Sequence, residues 1–420
     1  MRSMGILLSA LLSLVLCTAP VRGTVKPGDV ITAQNVDEAG DMISPGVKWC
    51  VQRGMIIHVV APQEIELPKP YVEATEKYAP QVRLAPDGLK LENYVAGLPF
   101  PHIDVNDPQV AMKIMWNYEY KPFVTDDGDA RNFDADTGTI NAGEPLKVER
   151  HFILDHIRTL YYNGRIFVDP KPELPNPDGI RYKGSLHPIL EPSDLKGVGS
   201  TSIRYIDPKR QDDTWLYLPT LRRVRRLSSA QRSDALFGQD TDADSYGGYA
   251  GQIGWMNWRF LGETKILAPF HAAHYPVKWC DPPGDFAFCD DWETRDAWVV
   301  EGTSKLPQYA YGKRLLFIDK NTYLVAFSDI FDHDGQLWKV WMNEWSFRNQ
   351  AFPNAHYTYD TPFAFLPSIV MVDVQLQRAT RAALPSLAYP GEEGWYFNKG
   401  AEVGNTEDFF TVAHLIAAGS

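Results

Sequence analysis

The stretch IRYIDPKRQDDTWLYLPTLRRVRRLSSAQRSDALFGQDTDADSYGGYAGQIGWMNWRFLGETKIL, residues 203–267, decides how the rest of the chain is read. Two short alternating runs flank the polar turn Lys209-Arg210-Gln211-Asp212-Asp213. In the second run, 214–218, Trp215 and Tyr217 fall on one face and Leu216 and Leu218 on the other, the period-2 signature of a strand. Both faces are apolar, whereas an antiparallel strand with one wet face alternates apolar with polar residues. Such a strand fits the wall of a hydrophobic container. An arginine run (Arg222, Arg223, Arg225, Arg226), an acidic glycine-rich loop and a strand-like run over 255–261 follow. Trp215, Tyr217, Trp255, Trp258, Arg223 and Arg225 are therefore the candidate ligand-binding residues: aromatic rings offer apolar area, and guanidinium forks suit an anionic headgroup.

Outward from this stretch the texture is that of antiparallel sheet. Residues 151–162 and 165–168 flank Asn163-Gly164, a dipeptide suited to the two positive φ angles of a type I′ hairpin turn. Further strands are expected at 201–206, 295–302, 313–331 with a turn at Asp319-Lys320-Asn321-Thr322, 336–347 and 369–380. Short turns without interleaved helices mean antiparallel pairing. Residues before 149 are Pro-rich and mostly irregular. A helix is expected over 71–79, between Pro70 and Pro80, and another from Asp107-Pro108, with Val110, Ala111, Ile114, Met115 and Tyr118 as a stripe for core packing. The expected fold is mainly β with a few helices (α+β). Residues 24–148 form a segment that packs on or into the sheet, residues 149–420 form the sheet core, and the two make one structural domain.

The chain has 420 residues, 44% hydrophobic and 22% charged, and its 31 Pro and 31 Gly suit a turn-rich β protein. A net charge of −12 argues against nucleic acid as a partner, since a duplex-binding protein presents a basic face. Residues 1–23 read as an export signal cleaved near Gly23: Arg2, an apolar core over 5–16, then Val21-Arg22-Gly23. That core is shorter than the roughly 20 apolar residues that span a bilayer, and no later stretch is long and apolar enough. Leu16 before Cys17 disfavours lipidation at that cysteine, so soluble export is expected. Export permits disulfides. Cys280 and Cys289 bracket a Pro-Pro-Gly loop and are the expected pair. Cys50 sits in Val47-Lys48-Trp49-Cys50, the same tetrapeptide as Val277-Lys278-Trp279-Cys280, so a Cys50–Cys280 pairing stays open.

The remaining polar clusters read as structure rather than chemistry. Asp332-His333-Asp334 before Gly335 is ordinary turn chemistry. Asp240, Asp242 and Asp244 have the spacing that starts a calcium loop, but Ser245 and Gly251 stand where an EF-hand needs Gly and Glu, so a solvated or capping loop is expected. The arginine run is expected to pair with Asp212, Asp213 and the 240–244 acids. A zinc site needs about four ligands, and only His271 and His274 lie near the cysteine pair. No metal, cofactor or catalytic residue is expected, because the chain carries no Gly-x-Ser-x-Gly elbow, His-Glu-x-x-His helix or P-loop. A glycan or lipid hydrolase built on two carboxylates or a Ser-His pair stays as a lesser alternative.

Trp215-Leu216-Tyr217-Leu218-Pro219, Arg222-Arg223-Val224-Arg225-Arg226 and Asp234-Ala235-Leu236-Phe237-Gly238-Gln239-Asp240 resemble periplasmic proteins of the domain-of-unknown-function 1329 family. The resemblance extends to Glu73-Ala74-Thr75-Glu76-Lys77-Tyr78, Gly97-Leu98-Pro99-Phe100-Pro101, Asp107-Pro108, Lys113 and Trp116-Asn117, and covers nearly all of the chain after residue 23. That family is distantly similar to the LolA/LolB lipoprotein carriers, here through Tyr217-x-Pro219, Phe237-Gly238, Lys313-Arg314-Leu315-Leu316-Phe317-Ile318-Asp319 and Phe331-Asp332-x-x-Gly335. The resemblance implies an incomplete antiparallel barrel wrapped around helices, with an apolar cavity for acyl chains. It also implies a non-enzymatic carrier of a lipid or other hydrophobic ligand, associated with a resistance-nodulation-division type permease. A structural adaptor of an envelope transporter is the alternative. The chain is about twice the length of a simple carrier, so residues 24–149 are candidates to cap or fill the cavity.

Overall fold

A computed structural model describes residues 25–228 and 231–419, so the expected export signal lies outside the described residues. In chain order the elements are β1 (Val30–Ile31), α1 (Pro45–Gln52), β2 (Ile57–Val60), α2 (Lys69–Tyr78), β3 (Arg83–Leu84), β4 (Leu91–Glu92), α3 (Val110–Glu119), β5 (Asp127–Thr139) and β6 (Lys147–Tyr161). They continue as β7 (Ile180–Leu186), β8 (Ile189–Glu191), β9 (Gly199–Tyr205), β10 (Asp213–Leu218), β11 (Arg223–Leu227), β12 (Met256–Ala268) and β13 (Trp292–Ser304). The last are β14 (Lys313–Asp319), β15 (Val325–Phe331), β16 (Leu337–Arg348), β17 (Phe363–Asp373), β18 (Arg378–Ala383), β19 (Trp395–Phe397) and α4 (Val412–Ala418).

One large curved sheet holds all of the strands except the β3–β4 pair. Its antiparallel order runs β11-β10-β9-β7-β6-β5-β18-β17-β16-β15-β14-β13-β12. Beside this run, β8 pairs with β6, β19 with β5, and β2 runs parallel to the start of β13. The sheet does not close on itself: β11 and β12 are its two free ends, joined in sequence by residues 228–255. The boundary expected at 148/149 falls inside β6, near its start, and β6 is hydrogen-bonded along its length to β5.

Helices α1 and α3 lie on the inner face, and they are held there by chemistry visible in the sequence. Ser44 caps α1, its Oγ accepting from Val47 N at 3.2 Å, and Pro45 occupies the first turn. Asp329 on β15 accepts from Ser44 Oγ at 2.7 Å and from Gly46 N at 2.9 Å, so a carboxylate sits at the positive end of the helix. A Cβ on Gly46 would stand 2.5 Å from both Asp329 Oδ1 and Val340 Cβ, which is why this turn needs glycine. Val47, Cys50 and Val51 of α1 then share one apolar core with Ile114 and Met115 of α3 and with Trp292, Trp341 and Trp345 of the sheet. On the outer face Phe409 and Phe410, just before α4, make a second small core with Leu160, Tyr162, Ile180 and Tyr205.

Three expectations are corrected. First, Asn163-Gly164 does not turn a hairpin into 165–168. The Asp126 carboxylate accepts from the backbone N of Ile166, Phe167 and Val168 at 2.8, 2.7 and 2.7 Å, taking the amides a strand would need. The partner of β6 on that side is β7. Second, the run 369–380 is two strands, because Asp373 accepts from Leu376 N and Gln377 takes a positive φ of 54° between β17 and β18. Third, the 240–244 loop is not solvated: Asp240, Asp242 and Asp244 are buried. The helix expected from Asp107 begins instead at Val110, while α2 and the Asp332–Gly335 turn form as expected.

Burial without a positive partner pushes Asp329 up from the ordinary carboxylate range to about 6, against the opposing hydrogen bonds from Ser44 and Gly46. The folded-state pKa is raised, so the folded chain holds this proton more tightly than the unfolded one. Stability therefore falls as pH rises from about 4 through about 6, by about 2–3 kcal/mol, and stays lowered above that. Asp329→Asn keeps the bond from Gly46 N on its amide oxygen, turns the amide nitrogen toward Ser44 Oγ as a donor, and removes the cost. In thermal melts it is expected to raise Tm at pH 7.5 and to lose that advantage near pH 4.

Candidate functional site

The two free ends of the sheet are bridged across the inner face by a buried ionic network. Asp212, just before β10, accepts from Arg204 of β9 at 2.7 Å and from Arg232 at 3.1 Å. Arg232 also pairs with Asp244 at 2.8 Å, and Asp244 lies 3.9 Å from Arg314 of β14. Tyr309 donates to Asp244, and Tyr311 donates to Asp242 at 2.6 Å. Burial pushes the Asp244 carboxyl up, but Arg232 and Arg314 more than reverse this and hold it below the usual range. Asp242 is raised by burial, with Arg314 and Lys339 only partly opposing. At the far end of the loop Asp240 N donates to Thr380 Oγ1 of β18 at 2.8 Å, and Arg378 lies 3.4 Å from the Asp240 carboxylate. The acidic loop is thus a strap through the sheet interior, neutralised by Arg232, Arg314 and Arg378 and tied through Arg232 to the Asp212–Arg204 pair.

The six residues expected to bind ligand do not form one site. Trp215 stands in register with Thr201, whose Oγ1 donates to Phe410 O at 2.9 Å, and Tyr217 packs against Gly419. Both rings face outward, under the C-terminal segment. Trp255 stacks with Arg204 and Arg232 on the inner face, at 5.7 and 4.9 Å, and Trp258 packs against Tyr249 and donates to Ile253 O at 2.9 Å. Arg223 and Arg225 stand opposite Leu218 and Leu216, on the face that carries Arg204, and are exposed. Of the arginine run Arg226 pairs with Asp213; the other expected acid partners belong to Arg204, Arg232, Arg314 and Arg378. The sequence reading does not find those arginines. Their signal is a charge inside an otherwise apolar run, as in Lys313-Arg314-Leu315-Leu316-Phe317.

The inner face is not an open trough, because α1, α3 and the acidic strap occupy it. A half-open cavity of about 330 Å³ lies at its rim, within the roughly 300–1,000 Å³ of ordinary ligand pockets. Its walls include Ala33, Arg53, Met55, Ile56, Ala142 and Pro283, contributed by the turn after β1, the turn after α1, the β5–β6 connection and the Pro-Pro-Gly loop. Arg53 stacks on Trp49 at 5.0 Å and makes no ion pair among the described residues. A second cavity, of about 30 Å³, lies between α3 and β9 beside Arg181 and Arg204 and has room for water only.

Two constellations have the composition of catalytic pairs. Ser185 Oγ hydrogen-bonds His187 Nδ1, and burial pushes His187 down to about 3. Glu344 accepts from Ser368 Oγ at 2.8 Å and is raised by burial and by the Asp290 charge. All four of these groups (Ser185, His187, Asp290, Glu344) are buried, and none lines either cavity. Cys280 and Cys289 are free thiols side by side, not the bonded pair expected; their mutual hydrogen bond lowers Cys289 to about 7 and raises Cys280.

The family model described as "Protein of unknown function (DUF1329)" matches residues 30–415, and the chain belongs to that family. The uncharacterized protein PA3922 of Pseudomonas aeruginosa is 24% identical over 334 residues, 75% of this chain and 68% of that protein. Similar solved structures include an outer membrane lipoprotein-sorting-type domain from Vibrio parahaemolyticus, with a TM-score of 0.47 and 18% identity, over 72% of this chain and 97% of that one. A DUF1329 protein from Desulfovibrio piger gives 0.45 and 14%, over 72% and 96%. The LolA superfamily protein NE2245 from Nitrosomonas europaea gives 0.38 and 15%, over 72% and 98%.

Removing one member of the strap's network leaves its partners buried and charged. Asp244→Ala is expected to cost about 3–5 kcal/mol in urea unfolding. Arg226→Ala, at an exposed pair on the same stretch, is expected to change little.

Proposed function

We propose that this DUF1329 chain is a non-enzymatic carrier or binding protein of the Gram-negative periplasm, and that its ligand is hydrophobic: a lipid or the acyl chain of a lipoprotein. The observation that carries the reading is the rim cavity. It joins apolar walls to a single guanidinium, Arg53, that has no acid partner among the described residues. That combination suits an amphiphile with an apolar body and an anionic end. The export-type first 23 residues support the location, and no helix among the described residues is long and apolar enough to cross a membrane. The Ser185–His187 and Asp290–Glu344 groups do not favour hydrolysis, since they are buried and line neither cavity. A resistance-nodulation-division type permease is the proposed partner, to be sought by pull-down from native membranes.

Two outcomes check this. Ala33→Trp and Ala142→Trp add bulk to the cavity wall at exposed positions. Each is expected to weaken binding of a fluorescent long-chain fatty acid at least about tenfold at unchanged Tm, the loss of about 1.4 kcal/mol of contact; unchanged binding contradicts the site. In an oxidising compartment the neighbouring Cys280 and Cys289 thiols are proposed to close as a disulfide. Non-reducing mass analysis of protein from the periplasm should then show a chain lighter by two hydrogens, with Cys50 still free. Two free thiols at 280 and 289 contradict it.

A further inference from the structure

The β10–β11 hairpin is a basic, apolar-tipped projection on an acidic protein. Between the strands the chain makes a short turn at Pro219–Leu221, and Arg222 then takes a left-handed conformation with φ 48°. Leu221 at the tip is 51% exposed. Arg222, Arg223 and Arg225 are exposed and their guanidinium groups make no hydrogen bond or ion pair among the described residues, while Arg226 is engaged by Asp213. The arrangement is unusual for a chain of net charge −12, most of whose other arginines are tied to carboxylates or backbone carbonyls. β11 is also the free end of the sheet, paired on one side alone.

We infer that this hairpin docks the protein on an anionic lipid surface. Charge complementarity selects an anionic partner. Two features favour a membrane over an acidic protein. Arg223 and Arg225 lie on one face of the hairpin while the exposed Arg222 flanks its tip, so no single flat face presents all three. A planar charged surface met tip-first engages all of them. The outermost side chain is also a leucine, which can enter the headgroup layer while the guanidinium groups stay at phosphate level. The inference does not depend on the ligand held at the rim, because the hairpin and that cavity share no residue.

The test is co-sedimentation of the full chain with phosphatidylcholine vesicles, with and without phosphatidylglycerol, at low and high salt. Wild-type protein is expected to bind the anionic vesicles alone and to be released by salt. Charge removal at Arg222, Arg223 and Arg225 together should lower partitioning by about fivefold per guanidinium, and Leu221→Ser should lower it further. Arg259→Gln, at an exposed but Glu301-paired arginine, should leave it unchanged. Inorganic phosphate should not compete. Equal binding by the triple variant, binding to neutral vesicles alone, or retention by polyglutamate but not by vesicles overturns the inference.

Discussion

Asp244 ties the structure together. The sheet ends in two free strands, β11 and β12, that never pair. The chain that joins them has to cross the inner face carrying Asp240, Asp242 and Asp244. Burying three carboxylates without partners is prohibitive. The fold meets the cost by drawing Arg232 and Arg314 to Asp244 and Arg378 to Asp240, and by spending two tyrosine hydroxyls on Asp242 and Asp244. A network of this kind adds little net stability over an apolar core, but it tolerates no missing member. It fixes the path of the strap, and the strap fixes the separation of the two free edges.

Most of the sheet is legible in the sequence because period-2 alternation survives wherever one face meets the core. Strands β9 to β16 stand close to where alternation and turn residues put them. Strand β5 is the exception, although it is central to the sheet. Its sequence, DGDARNFDADTGT, is rich in Asp and Gly, which strands disfavour. Its aspartates are satisfied only in three dimensions: Asp129 by Arg131, Arg158 and His156, and Asp136 by Arg381 and His151. Helix α1 is hidden for a similar reason, since its glycine and its distant Asp329 cap make sense only against β15 and β16.

The candidate site was less legible. Trp215, Tyr217, Trp255 and Trp258 are aromatic, which marks them for burial without saying against what. Strand parity sends Trp215 and Tyr217 to one face, beneath the C-terminal segment, while Trp255 sits in the short turn before β12 and packs on Arg232, and Trp258 on β12 packs on Tyr249. The rim cavity is assembled from the turn after β1, the turn after α1, the β5–β6 connection and the Pro-Pro-Gly loop, segments with no shared period. With the interior filled by the chain itself, the hydrophobic ligand proposed above has its place at the mouth of the sheet rather than along its length.

The proposal that this chain carries a hydrophobic ligand is tested most directly by the contents of the cavity in protein purified gently from its native envelope. Organic extraction and mass spectrometry of wild-type protein are expected to yield a lipid near one equivalent, and Ala142→Trp protein prepared in parallel is expected to yield far less. Wild-type protein that is free of lipid, or variant protein that retains the same amount, contradicts it.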